Sequence, residues 1–189
     1  MSSHHIVREN QEPALVVADF HALDSEQLGQ LLEWSPMIVT DAANVDFLLA
    51  EGIKVDIVFG ASSARITQEA TVFLPLTDQG NFIQEAIQHL ISKNFKSVNV
   101  LAGETLPHLQ AFAEAISIVT YAKGIRYAFF QEKFEKWKPK GDTVLIEERT
   151  IKSFQGLEYT QKNEFITIED GFVTVEFSTT DWVLVGEVL

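Results

Sequence analysis

Four carboxylates stand directly behind short apolar runs. Asp19 follows Ala14–Ala18, Asp41 follows Met37–Thr40, Asp78 comes shortly after Val72–Leu74, and Glu104 comes shortly after Val98–Leu101. A fifth run, Val55–Phe59, leads instead into Gly60-Ala61-Ser62-Ser63. Acids gathered on one rim suit Mg²⁺, a hard cation that takes oxygen ligands and bridges phosphates. Asp and Asn are equally the ordinary residues of strand-to-helix turns and helix caps, so spacing alone leaves both readings open. Among the histidines, His21 and His108 fall near this rim, while His4 and His5 belong to the leading tail and His89 sits beside an apolar helix stripe. No His-x-x-x-His spacing occurs, nor any GxGxxG, Walker-A or G-x-S-x-G motif. Trp34, Trp137 and Trp182 suit a core or interface as well as a stacked ligand; Trp182 stands out because it follows a polar turn.

The elements that must hold these residues alternate between two periods. Leu28, Leu31 and Leu32 share a helical face behind an N-cap at Asp24-Ser25. Phe82, Ile83, Ala86, Ile87, Leu90 and Ile91 form a 3.6-period stripe closed by Asn94, and Leu109, Phe112, Ala113, Ile116 and Val119 predict a further helix ending near Gly124. Short buried strands separated by amphipathic helices predict a mostly parallel sheet with helices on both faces, whose ligands bind beyond the strand carboxyl ends. After Gly124 the texture changes. Ile125–Phe130 reads as a strand, Lys133–Gly141 as a charged connector, and Thr143–Glu147, Phe165–Ile168, Phe172–Phe177 and Trp182–Val185 as short strands. Glu169-Asp170-Gly171 reads as a hairpin turn between two of them. The expected fold is α/β: a mostly parallel α/β domain over residues 13–130, then a small all-β domain over 131–189, behind a disordered tail at 1–12.

Composition narrows the function classes. The 189 residues hold 27 Asp+Glu against 14 Lys+Arg, a net charge of −13, which disfavours a nucleic-acid partner. With no cysteine, disulfides, zinc–thiolate sites and cysteine nucleophiles are excluded. No signal-like or membrane-spanning apolar run occurs, so a cytoplasmic protein is expected.

The order of the rim segments resembles thiamine pyrophosphokinase. Asp41-Ala42-Ala43-Asn44 and then Glu51-Gly52-Ile53-Lys54-Val55-Asp56-Ile57-Val58-Phe59-Gly60 are similar to that family's D-G-[GA]-A-N and G-[IH]-x-P-D-x-I-x-G. Asp78-Gln79 resembles the start of D-Q-x-T-x-D, and Val100-Leu101-Ala102-Gly103 with Pro107-His108 resembles the approach to G-x-R-x-D-H. Gly156-Leu157-Glu158-Tyr159 resembles G-L-x-Y, and Asn163-Glu164 the end of the thiamine-binding S-N-E. The resemblance spans nearly the whole chain. It implies an α/β domain followed by a β-sandwich, Mg²⁺ and ATP as cofactors, diphosphate transfer to the hydroxyl of thiamine, and a homodimer with the thiamine pocket at the subunit junction. Carried over residue by residue, it implies Asp41, Asp78 and His108 as catalytic, Asp41 and Asp78 as metal ligands, and Asn44, Gly60, Ser62, Ser63, Gln79, Asn163 and Trp182 as substrate-binding.

The departures concentrate at the chemistry. G-D-x-D-S has become Gly60-Ala61-Ser62-Ser63-Ala64, the last acid of D-Q-x-T-x-D is absent, Arg and Asp of R-x-D-H are replaced around Thr105-Leu106-Pro107, and Lys162 stands for the serine of S-N-E. A serine hydroxyl does not replace a carboxylate's charge at Mg²⁺. The expectation is an activity weakened, changed or lost. The alternatives are a non-catalytic homodimer that binds a thiamine-like ligand or a nucleotide as a sensor, and a purely structural role.

Overall fold

The computed structural model describes residues 12–33, 37–60, 70–77 and 80–189. Its first strands are β1 (Ala14–Val17), β2 (Ile38–Asp41), β3 (Ile57–Phe59), β4 (Val72–Leu74), β5 (Ser97–Leu101) and β6 (Ser117–Ala122). They pair in parallel in the order β4-β3-β2-β1-β5-β6. All four side chains of β1 are buried, as expected for a central strand covered on both faces.

Helices provide that cover. α1 (Ser25–Leu32) and α2 (Val45–Ala50) pack Leu28, Val45 and Leu48 against Leu15, Val17 and Val58 on one face. On the other face α3 (Phe82–Ser92) packs Phe82, Ile83, Ala86, Ile87 and Leu90 against Val16, Val39 and Val100. Local chemistry sets the ends. Asp24 and Gln27 form a capping box on α1, Asn81 accepts from the Gln84 N–H at 3.2 Å, and Asn94 closes α3 at φ 64°. No helix among the described residues is long and apolar enough to cross a membrane.

The sheet continues past β6. β7 (Ile125–Phe130) and β14 (Val183–Val188) add antiparallel, followed by β9 (Thr143–Ile146), β12 (Glu164–Thr167) and β11 (Leu157–Gln161), making eleven strands. A second sheet, β10 (Ile151–Gln155), β13 (Gly171–Phe177) and β8 (Lys133–Lys138), packs on the β14–β9–β12 portion. Phe134, Val144, Ile146, Phe165, Val175 and Val185 form the core between the two layers. The architecture is thus a mostly parallel α/β sheet followed by a small β-sandwich.

Three sequence expectations need correction. The stripe from Leu109 to Val119 is no helix: a 3₁₀ turn, Pro107–Phe112, leads into β6, which ends in a tight hairpin at Lys123 (φ 53°) and Gly124 (φ 74°). The β-branched run Ile118-Val119-Thr120 and the positive-φ turn outweigh the coincident helical spacing. Lys133–Gly141 is no connector over its first six residues but strand β8. Glu169-Asp170-Gly171 joins no hairpin, because β12 and β13 lie in different sheets. The polar strands β10 and β11 were not legible either. Gly156, at φ 76°, turns the chain from one sheet to the other, and a Cβ there would lie 3.1 Å from the Phe172 carbonyl oxygen.

Lys138 of β8 is buried, and Lys136 reaches the same partner, Glu187, from the surface. Glu187 of β14 is buried, and its carboxylate lies 2.7 Å from each of Arg126 Nη1, Lys136 Nζ and Lys138 Nζ. Lys138 also reaches Asp142 at 3.2 Å. This ionic cluster closes one end of the sandwich. Burial pushes the Glu187 carboxyl up, but hydrogen bonds from Lys136 and Lys138 outweigh it and hold the group below its ordinary value of 4.5. The stabilisation is therefore complete above the unfolded value and is lost as pH falls through the lower folded one. Removing one partner of a buried ion pair costs about 3–5 kcal/mol. Glu187→Ala is expected to lose stability on that scale in denaturant melts near neutral pH. The gap to the parent is expected to narrow below about pH 4.5, the ordinary value; a pH-independent gap would contradict the ionic account.

Candidate functional site

Strand order reverses between β1 and β5, so the crevice beyond their carboxyl ends is the sheet's switch point. Asp19 occupies it. Its backbone N–H donates to the Leu101 carbonyl at 3.0 Å, and its Oδ1 accepts from the His21 N–H at 2.9 Å. Its Oδ2 lies over Gly103, where an added Cβ would approach to 2.9 Å. Gly103 is therefore what lets this carboxylate sit in the crevice. Oδ2 itself has no hydrogen-bond partner among the described residues.

The neighbouring strand end is fastened to it. Asp41 Oδ1 accepts from Ala43 N–H at 3.1 Å, Asn44 N–H at 3.0 Å and Asn44 Nδ2 at 2.9 Å. Asn44 Nδ2 also donates to the Ala18 carbonyl at 3.2 Å, tying the ends of β1 and β2 together. Asp41 thus serves as a turn cap with one oxygen, and Oδ2 accepts no hydrogen bond among the described residues. Gly60 ends β3 at φ 73°, a conformation that favours glycine, with its N–H on the Leu74 carbonyl at 2.9 Å. Glu85 of α3 accepts from the Thr77 N–H at 3.2 Å and from the Thr77 hydroxyl, and its carboxylate lies where a Cβ at Gly80 would fall. Asp78, Gln79, Ser62 and Ser63 lie outside the described residues, as do Trp34, His4 and His5.

His108 and Trp182 are elsewhere. Val183 pairs with Phe130, the last residue of β7, which the β6–β7 register sets beside Ser117; Ser117 in turn pairs with Ser97. Ser97 and Ser117 open β5 and β6, so Trp182 sits at the amino-terminal end of the sheet, about 13 Å of strand away from the rim. The indole lines a hollow with Ser117 and Phe129. It also lines two adjoining cavities of about 480 and 400 Å³, the first with His108, Gln131 and Asp181, the second with Gln110 and Arg149. The structure therefore brings His108 to Trp182, and Asn44 and Gly60 to Asp41, but not the one pair to the other.

Asn163 occupies a third position. At φ 63° in the β11–β12 turn, it exchanges hydrogen bonds with Glu148: its N–H donates to Oε1 at 2.8 Å and its Oδ1 accepts from the Glu148 N–H at 3.1 Å. The Tyr159 hydroxyl also bonds Glu148, which raises its pKa. Sequence reading missed Glu148 and the cleft residues Gln110, Gln131 and Arg149, because none belongs to a motif and only the sheet packing gathers them.

For Mg²⁺ the described residues offer a poor set. No three Asp, Glu or His side chains among them converge, and Asp41 keeps one uncommitted oxygen. The described donors do not by themselves fit the ion.

An α/β sheet running on into a β-sandwich, with strand-end carboxylates at one end and an aromatic cleft at the other, defines the architecture. Among solved structures it is that of the thiamine pyrophosphokinases. The Bacillus subtilis enzyme matches with TM-score 0.65 and 16% identity over 93% of this chain and 98% of its own. The yeast enzyme matches with TM-score 0.71 and 10% identity over 98% and 88%, and the Candida albicans enzyme with 0.63 and 10% over 94% and 90%. No family model and no curated protein sequence matches the chain. At these identities the likeness establishes the fold.

Asp41 is expected to act as a cap whatever the ligand. Asp41→Ala should lower stability by about 1 kcal/mol, within the range for lost caps, while Asp41→Asn retains most of it in the same thermal melts.

Proposed function

We propose that this chain is a thiamine pyrophosphokinase relative that keeps a thiamine-type ligand site and whose diphosphate transfer has been weakened, changed or lost. The carrying observation is the rim. Its described segments beyond β1, β2, β4 and β5, residues 18–24, 41–46, 75–77 and 102–106, contain Asp19, Asp24, Asp41, Asp46 and Glu104 and no lysine or arginine; Lys123 and Arg126 lie at the β6–β7 turn. Transfer of a diphosphate from ATP to the thiamine hydroxyl concentrates negative charge, which catalysis meets with metal and positive clamps. Where Mg²⁺ and ATP bind in this fold, the ion neutralises that charge. Here Asp41 spends one oxygen on its own turn, and Gly60-Ala61-Ser62-Ser63-Ala64 offers no acid to replace what is lost. Titration calorimetry with thiamine and a non-hydrolysable ATP analogue, with and without Mg²⁺, tests the reading. Thiamine is expected to bind without metal and turnover to stay at background. Turnover of about 1 s⁻¹ or more, an ordinary enzymatic rate, abolished by Asp78→Ala would reinstate the kinase. Silence toward thiamine would remove the ligand site.

A second reading concerns assembly, as a homodimer with shared sites. Asn44 and Gly60 lie at one end of the sheet, and His108 and Trp182 at the other, so one ligand touching both sets needs two copies of the chain. Asn44→Ala and Trp182→Ala chains are each expected to bind thiamine weakly alone. Co-refolded as a mixture, they should recover binding through heterodimers that hold one intact junction. A chain that sediments as a monomer at micromolar concentration would defeat this.

A further inference from the structure

At the switch-point end of the sheet three aromatic rings meet. Phe20 follows Asp19 and Phe47 lies on α2, their centroids 4.5 Å apart, with His21 at 5.9 Å from the first and 5.5 Å from the second. Phe47 is 40% exposed and His21 is exposed, whereas Phe20 rests on the α1–α2 core. Phe20 and His21 thus leave the end of β1 on the same turn that holds Asp19 in the crevice, and Phe47 stands one helical turn beyond Asn44.

The described segments beyond β1, β2 and β5 carry Asp19, Asp24, Asp41, Asp46 and Glu104 and no lysine or arginine. Lys54, Lys93 and Lys96 sit in the loops before β3 and β5 at the opposite end, and Lys123 and Arg126 lie at the β6–β7 turn, on the far side of β5 from β1 and β2. Lys54 is further occupied by Asp56 at 2.5 Å. Carboxylates clustered beyond β1 and β2 raise the local concentration of cations there. Aromatic faces attract cations through the ring quadrupole, and a carboxylate close by adds a Coulombic attraction of its own.

We infer that Phe20, His21 and Phe47 form a stacking face at the switch point that takes a planar organic cation, with Oδ2 of Asp19, which has no hydrogen-bond partner among the described residues, as its counter-charge. The face recognises charge and flatness together. Polyphosphates and flat anions are turned away by the same carboxylates. The inference stands whether or not diphosphate transfer survives, since it draws only on side chains of the described rim.

The test uses the full chain and three flat probes of equal ring size: N-methylquinolinium (cationic), quinoline (neutral) and naphthalenesulfonate (anionic). Binding is followed by the histidine ring signals in NMR. N-methylquinolinium is expected to shift the His21 resonances, leave those of His89 and His108 unmoved, and bind about fourfold tighter than quinoline, the factor an exposed cation–π contact supplies. Phe47→Ala should weaken the cation about threefold. Asp19→Asn keeps the cap oxygen that the His21 N–H uses, and should bring the cation down to the affinity of quinoline. Equal binding of naphthalenesulfonate, shifts at His108 in place of His21, or no binding would each overturn the inference. Because no arm uses thiamine or nucleotide, its failure is separable from that of the kinase-relative reading.

Discussion

The unbroken hydrogen-bond ladder from β6 through β7 to β14 is the constraint on which the rest depends. β6 still pairs in parallel with β5, yet its other edge takes β7 antiparallel through a two-residue turn, and β7 takes β14. One sheet therefore serves two architectures. On its parallel side helices cover both faces. On its antiparallel side one face is covered by three strands folded back over it. Because the ladder is continuous, the register that sets Asp19 and Asp41 at one end of the sheet also sets Trp182 at the other.

Charge follows the same division. The carboxyl ends of the parallel strands collect acids, partly because Asp and Asn cap the turns there, as Asp41 does for Ala43 and Asn44. The sandwich instead turns cations inward: Arg126, Lys136 and Lys138 converge on Glu187. Such a cluster adds less to net stability than hydrophobic contacts of the same volume, but it penalises any register that leaves Glu187 unpaired. The acidic rim and the ionic end of the sandwich are thus two outcomes of one sequence rule, that a charge is kept either where water or a ligand reaches it or where a partner does.

What could be read from the sequence depended on whether the cause was local. The apolar runs of β1, β2 and β5, the stripe of α3 from Phe82 to Leu90, and the caps at Asp24 and Asn94 are short-range patterns, and they fold as written. The rim carboxylates Asp19 and Asp41 were legible for the same reason, since a residue behind a strand ends up at the strand's end. β8 was not, because Lys133, Glu135, Lys136 and Lys138 read as a charged connector until Glu187, some fifty positions later, supplies the partner. β6 misled because Leu109–Val119 satisfies a helical period that the Lys123–Gly124 turn and the pairing with Ser97–Leu101 override.

By itself, then, the amino-acid order determined the strands β1 to β5 and the helices α1 and α3 of the parallel half, and where the carboxylates behind those strands fall. Those are properties of neighbours along the chain. Only the tertiary structure decided that His108 shares a cleft with Trp182 and not with Asp41, that Asn163 clasps Glu148, and that Phe20, His21 and Phe47 meet beside Asp19. Each of these unites residues from different strands or turns. Such meetings follow from sheet order and register, which no local stretch of sequence contains.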